Sequence, residues 1–229
     1  MVSSGILYIV STPIGNLGDM SYRAVEVLKG VDWIACEDTR HSKILLDHYG
    51  IQKPLVSYFD FSESKKAPEL VHRLKEGQIG ALISDAGTPG LADPGYKLIE
   101  KARAEGIEVK MVPGASAFLA ALVLSGLPMH RFIFEGFAPL KDGARRKWFQ
   151  ALSHESRTVV FYESPHRLLK TLLAMRDIFG DIEVVVAREL TKKFEEVLRD
   201  HLSAILEHFS KGKILGEFVI VFQPHASDR

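Results

Sequence analysis

Cysteine is almost missing from this chain: among 229 residues there is one, Cys36. A single thiol excludes an intramolecular disulfide and fits a reducing compartment. Net charge is missing as well, because 29 Lys and Arg stand against 29 Asp and Glu, for a formal charge of +0. That balance excludes a basic coat that holds nucleic acid by counterion release alone, and equally an acidic disordered solvator. Long apolar runs are lacking: the longest, residues 117–124, falls far short of the ~20 residues that cross a bilayer. The start, MVSSGILYIVSTP, has no basic region ahead of its apolar run, so a secretory signal is not expected and the chain reads as cytoplasmic, without membrane contact. The nine histidines form neither HxH nor HExxH, and no metal is expected. GxGxxG, GxxxxGK[ST] and GxSxG are also absent, which removes the usual fingerprints of dinucleotide binding, P-loop nucleotide binding and a hydrolase elbow.

What remains is the composition of a globular protein able to bury a full core, with 46% hydrophobic and 25% charged residues. Short β-type runs alternate with helical segments from end to end. LYIVST (7–12), VDWIACE (31–37), LVSYF (55–59), IGALISD (79–85) and VKMVPG (109–114) are apolar and bounded mostly by Gly, Pro or Asp. Between them, 21–30, 64–77 and 96–106 show helix-period apolar positions and end at glycine. This is the βαβ rhythm of a parallel α/β sheet. An apolar helix within 115–131 closes on Gly-Leu-Pro. New strands are expected at 132–137, 158–164, 182–189 and 217–222, with helices near 143–153, 166–179 and 201–210. Two α/β domains, 1–117 and 118–229, are the simplest division. The first carries 13 basic against 15 acidic side chains and the second 16 against 14, so neither is polarised.

Ligands of parallel α/β sheets gather where strands end, and the densest clusters stand there. SDAGTPGLADPG (84–95) packs glycines and prolines that shape a turn and let backbone N–H groups approach a ligand, with Asp85, Thr88 and Asp93 as polar contacts. STPIGN (11–16) places Thr12, Pro13 and Gly15 at the exit of the first strand. EDTR (37–40) follows the second, and Asp38 or Thr39 also suits the N-cap of the next helix. Ser116 and Ala117 follow Pro113-Gly114, small enough to admit a flat ring or a methionyl tail, or simply to pack a helix tightly. FYESPHR (161–167) joins an aromatic, an acid and two basic groups, with Ser164 and Pro165 also suited to N-cap and first helical position. ARELTKKFEE (187–196) and KDGARRK (141–147) are charge runs that read equally as solvated faces.

These motifs, in this order and joined by GEFVIVF, closely resemble the ribosomal RNA small subunit methyltransferase I family of the tetrapyrrole methylase superfamily. The resemblance covers nearly the whole chain. It implies a class III methyltransferase fold of two α/β domains with the cofactor cleft between them, and a homodimer. The implied cofactor is S-adenosylmethionine, and the implied reaction methylates the ribose 2′-oxygen of a cytidine in 16S rRNA, offered as naked RNA or as the 30S subunit. Carried over by position, the cofactor contacts are Pro13, Ser84, Asp85, Ala86, Gly87, Thr88, Pro89, Ser116, Ala117, Tyr162 and Glu163. The sequence departs from the pattern at Ala115, where a second proline is more common, and at Asp200, where glycine is common. It also ends soon after GEFVIVF, where many members continue.

Loss of the hydroxyl proton needs a positioned base, and Glu37, Asp38, Glu189 and Lys192 are the candidates. Arg40, Arg167, Arg188, Lys192 and Lys193 are candidates for phosphate contact, with Arg145 and Arg146 of KDGARRK added for docking on rRNA. Two other readings stay open: a small-molecule methyltransferase acting on a tetrapyrrole, and a nonenzymatic nucleotide-binding module.

Overall fold

The computed structural model describes residues 5–224, and the chain divides into two compact units between Ser116 and Ala117. In unit 1, five parallel strands alternate with helices: β1 (Ile6–Val10), α1 (Tyr22–Gly30), β2 (Trp33–Cys36), α2 (Thr39–His48), β3 (Leu55–Ser57), α3 (Asp60–Lys75), β4 (Gly80–Ile83), α4 (Tyr96–Ala104) and β5 (Glu108–Val112). Their order in the sheet is β3-β2-β4-β1-β5. The inner strands β2 and β4 are buried on both faces and β1 largely so, and alternate residues feed two cores. Leu7, Ile9, Trp33, Ala35 and Leu82 meet Leu70, Leu74 and Leu98 of α3 and α4, while Ile34, Cys36, Ala81 and Ile83 meet Ala24, Leu28 and Leu46 of α1 and α2. The result is a three-layer sandwich in which every strand delivers its exit loop to the same edge of the sheet.

Unit 2 opens with α5 (Ala117–Ser125) and continues as β6 (Phe132–Phe137), α6 (Asp142–Leu152), β7 (Thr158–Glu163), α7 (Leu168–Phe179), β8 (Glu183–Arg188), β9 (Glu196–His201), α8 (Leu202–Ser210) and β10 (Phe218–Phe222). Its order is β6-β7-β10-β8-β9. The end-to-end parallel rhythm fails here: only β6 and β7 run parallel, and β10 is antiparallel to both β7 and β8, as β9 is to β8. The reason is local. Only a short polar turn separates β8 from β9, too little chain for the crossover that a parallel pair requires. β9 itself is an edge strand, EVLRDH, with no buried residue, and its polarity conceals it in the sequence. The core is built from Val159, Phe161, Val184, Val186, Ile220 and Phe222 of the sheet against Phe149, Leu172, Met175 and Ile205 of α6, α7 and α8. α5 packs against β7 and β10.

Helix starts also shift. α7 begins at Leu168 with Arg167 at its N-cap position, because Ser164, Pro165 and His166 form a separate turn in which the Ser164 carbonyl accepts from the Arg167 and Leu168 N–H groups at 3.1 Å. α3 begins at Asp60, four residues before its sequence signal.

Gly80 and Trp33 are paired across β4 and β2, and the fully buried indole fills the space a side chain would need. A Cβ on Gly80 would fall 2.2 Å from the Trp33 ring. Gly80→Ala is therefore expected to destabilise unit 1 by about 1–3 kcal/mol through overpacking, read as a lower denaturation midpoint at unchanged m-value; an unshifted midpoint contradicts the packing described.

Candidate active site

The exit edge of the unit 1 sheet gathers the first three motifs. After β1, Thr12 and Gly87 form an isolated two-way bridge, with Thr12 N donating to Gly87 O at 2.8 Å and Gly87 N to Thr12 O at 3.1 Å. Side chains reinforce it. Ser11 Oγ and Thr88 Oγ1 are 2.8 Å apart, Thr12 Oγ1 donates to Ser84 O at 3.0 Å, and Ser84 Oγ donates to Gly87 O at 3.1 Å. Ser84 is therefore a brace within the loop, buried along with Pro13 and Pro89, whereas Asp85, Ala86 and Thr88 keep partial access to solvent. Gly87 sits at φ +80°, a conformation that favours glycine, and an added Cβ would fall 3.6 Å from Ile14 and 3.8 Å from Ala115 O. Ser116 closes unit 1 half-buried, and Ala117 opens α5 of unit 2.

β2 and β4 are neighbours, so EDTR lies beside this loop: Asp38 N donates to Asp85 Oδ1 at 3.3 Å. The two EDTR acids separate by environment. Asp38 caps α2 by accepting from Arg40 N at 2.8 Å and pairs with the Arg40 guanidinium at 3.0 Å. Those bonds hold its carboxyl down to about 2, so it is a poor proton acceptor. Glu37 is the opposite. Burial first, then the charges of Asp85, Asp60 and Asp38, push its carboxyl above the ordinary glutamate range.

In unit 2 the register aligns the other motifs. Phe218 pairs with Glu163 on one side and Arg188 on the other, and Phe137 pairs with Tyr162, so the ends of β6, β7 and β8 and the start of β10 share one edge. Tyr162 lies against Phe134 and Phe137, with ring centroids at 5.0 and 5.4 Å. Glu163 is 1% exposed, and its carboxylate is committed inward. It accepts from Ser164 N at 2.7 Å, from Thr171 Oγ1, and from the Arg167 guanidinium at 2.8 Å. Arg167 also donates to Ala138 O at 3.0 Å, which makes the pair a clamp on the turn rather than a free ligand group.

Beyond β8, Glu189 at φ +50° and Thr191 at φ +67° hold a left-handed backbone that non-glycine residues rarely adopt. Lys192 pins it, with Nζ 2.9 Å from Glu189 and 2.8 Å from Glu217. Burial acts to lower the Lys192 pKa, but its bonds to Glu217 and Glu189 outweigh that and raise it. In Glu189 burial likewise opposes the outcome, and the bonds from Lys192 and Glu217 N win and lower it. The pair is thus an ammonium and a carboxylate at neutral pH, and Lys192 has no lone pair to take a proton.

The basic candidates divide in the same way. Arg145 is 2% exposed and held by Asp142 at 2.6 Å, so it is a core residue and not an RNA contact. Arg146 is shared between Asp142 and Asp177, and Arg188 between Leu215 O and Glu196. Arg40 and Lys193 remain exposed. Among the described residues, no group of three or more His, Cys, Asp or Glu is assembled to hold a metal ion, and no helix is long and apolar enough to cross a membrane.

Residues 6–206 match the family model described as Tetrapyrrole (Corrin/Porphyrin) Methylases. The chain belongs to the tetrapyrrole methylase family. It is similar to the ribosomal RNA small subunit methyltransferase I of Xylella fastidiosa, 49% identical over 97% of this chain and 83% of that protein. A second such protein, from Thermotoga maritima, is 48% identical over 95% of this chain and 97% of its own length. Among solved structures, diphthine synthase superposes with a TM-score of 0.72 at 16% identity, covering 96% of this chain and 90% of that one, which speaks for the fold alone.

This methylase is a methyltransferase enzyme, and S-adenosylmethionine is the family's methyl donor. The unit 1 loop suits such a ligand on chemical grounds. Asp85 and Thr88 keep partial access to solvent, so Asp85 offers an acceptor for a ribose hydroxyl or an ammonium, and Thr88 offers a hydroxyl. Missing from the sequence reading was Glu63, a buried carboxylate that fixes the far end of the same loop. Its only signal is an acid ahead of a helix, which ordinarily reads as solvated.

Because the Glu163 carboxylate is fully enclosed and paired, Glu163→Ala is expected to lower stability by about 3–5 kcal/mol in chemical denaturation. A loss below ~1 kcal/mol would contradict the clamp.

Proposed function

We propose that this methylase transfers a methyl group to small-subunit ribosomal RNA, at the ribose 2′-hydroxyl of a cytidine in 16S rRNA. The observation that carries the reading is the similarity, over 86–97% of this chain, to relatives named ribosomal RNA small subunit methyltransferase I, at 44–51% identity. When bound, S-adenosylmethionine supplies an electrophilic methyl group, and the protein must orient the acceptor oxygen and help remove its proton. The 84–89 loop and Pro13 hold the cofactor, with Asp85 and Thr88 as its polar contacts.

Glu37 is the carboxylate suited to accept the proton, because burial and the neighbouring acids raise its pKa and make it a stronger base than its exposed counterparts. Asp38 orients Arg40, and Arg40 and Lys193 are the exposed cations that meet phosphate. With no net charge to supply a broad field, recognition is local and suits a folded substrate such as the 30S subunit. We also assign a homodimer, supported by α5, where Leu119, Val123 and Leu124 are 46%, 61% and 47% exposed on one short apolar helix. Function is placed in the cytoplasm, where the substrate is.

Labelled S-adenosylmethionine incubated with 30S subunits or naked 16S rRNA from a strain lacking the modification is expected to mark one cytidine ribose. Label in neither substrate defeats the reading, and label in a tetrapyrrole instead selects the small-molecule alternative. The pH dependence tests the base. Activity requires ionised Glu37, so kcat should fall as pH drops through a midpoint above that of an ordinary glutamate. Glu37→Gln should cost about 10²–10⁴-fold in kcat and remove that limb; an unchanged limb in the variant eliminates Glu37 as the base.

A further inference from the structure

Glu63 lies in the first turn of α3, where an acid normally faces water, yet it is only 7% exposed. A carboxylate withdrawn from water needs donors around it. The donor here comes from a segment 32 residues away: Gly95 N bonds Glu63 Oε1 at 2.6 Å. Gly95 is the N-cap of α4 and has no side chain of its own, and the first turn of α4 carries no acid. The α3 carboxylate therefore takes the part of a capping-box acid, satisfying the N-cap N–H at the positive end of the α4 dipole. The buried Tyr58 approaches from β3. Its own burial first, and then the Glu63 charge, push the phenol pKa up. Lys97 Nζ, bonded to Ser64 Oγ at 2.8 Å, adds a second tie between α3 and α4.

Gly95 also ends the turn segment that begins at Ser84. That segment is anchored at one end by the Thr12–Gly87 bridge and at the other by Glu63. Between the anchors, Leu91 N reaches Thr88 O at 3.3 Å and Gly90 N reaches Pro94 O at 3.2 Å, so a displacement at Gly95 is passed back toward Thr88. We propose that Glu63 is a positioning residue for cofactor binding: acting through Gly95, it sets the backbone at 85–88 without touching the ligand. The assignment rests on the reading that this loop holds S-adenosylmethionine.

The test uses the full chain, with S-adenosylmethionine affinity measured by isothermal titration and steady-state kinetics on 30S subunits. Glu63→Ala is expected to raise both Kd and KM for the cofactor by about tenfold or more, with kcat at saturating cofactor within about twofold of wild type. Glu63→Gln, which keeps an acceptor for Gly95 N, should recover most of the affinity. A purely structural acid would lower the melting temperature without this split or this rescue. Gly87→Val separates the two layers of the argument. If it abolishes binding while Glu63→Ala binds as wild type, the role of Glu63 is overturned and the loop reading stands. If both bind as wild type, the loop reading falls as well. Should Glu63→Ala fail to fold, Glu63→Asp, one methylene short of Gly95, carries the same expectation of a raised KM at retained kcat, and an unchanged KM overturns the proposal.

Discussion

Two backbone hydrogen bonds between Thr12 and Gly87 tie together the exit loops proposed to hold the cofactor. They join the exits of β1 and β4, adjacent strands of a parallel sheet, where the backbone would otherwise leave its polar groups unpaired. The bridge forces a bend that Gly87 can adopt, and the bend brings Asp85 beside the backbone of Asp38. Ser11, Ser84 and Thr88 then serve as braces. From one constraint follow the shape of the loop, the crowding of acids that raises Glu37, and the need for a second anchor at Gly95.

Electrostatics is governed by pairing more than by totals. Asp38 and Glu37 are sequence neighbours, but one is spent on a cap and a guanidinium while the other is half-buried among like charges. Lys192 looks like a base in the sequence and is, in the fold, a cation fixed between two carboxylates. Its charge stabilises a backbone bent through Glu189 and Thr191, which gives the residue a structural purpose that stands beside any role toward substrate.

Much of unit 1 was legible because its inner strands β2 and β4 are buried on both faces, β1 is strongly apolar, and the strands exit into residues that only a turn uses. Unit 2 was legible in its elements but not its directions, since FVIVF or EVVVAR carries no mark of parallel or antiparallel pairing. β9 escaped because an edge strand needs only one partner, and EVLRDH is as polar as a loop. Arg145 escaped because a string of basic residues at a helix start gives no sign that one of them turns into the core. Glu63 escaped because its donor, Gly95, lies 32 residues along the chain, a partnership that belongs to tertiary structure and that local pattern does not encode. Glu163 differs: its donors Ser164, Arg167 and Thr171 are all close in sequence, but FYESPHR gives no sign that the acid turns inward toward them.

The central claim is that the braced exit loops of unit 1 hold S-adenosylmethionine. Hydrogen–deuterium exchange on the full chain, with and without the cofactor, addresses it at the level of individual peptides. Peptides covering residues 11–16 and 84–95 should become strongly protected when the cofactor is added, while β9, a polar edge strand remote in sequence from them, should not change. Unaltered exchange at 84–95 under saturating cofactor, with protection arising in other segments, would contradict the account.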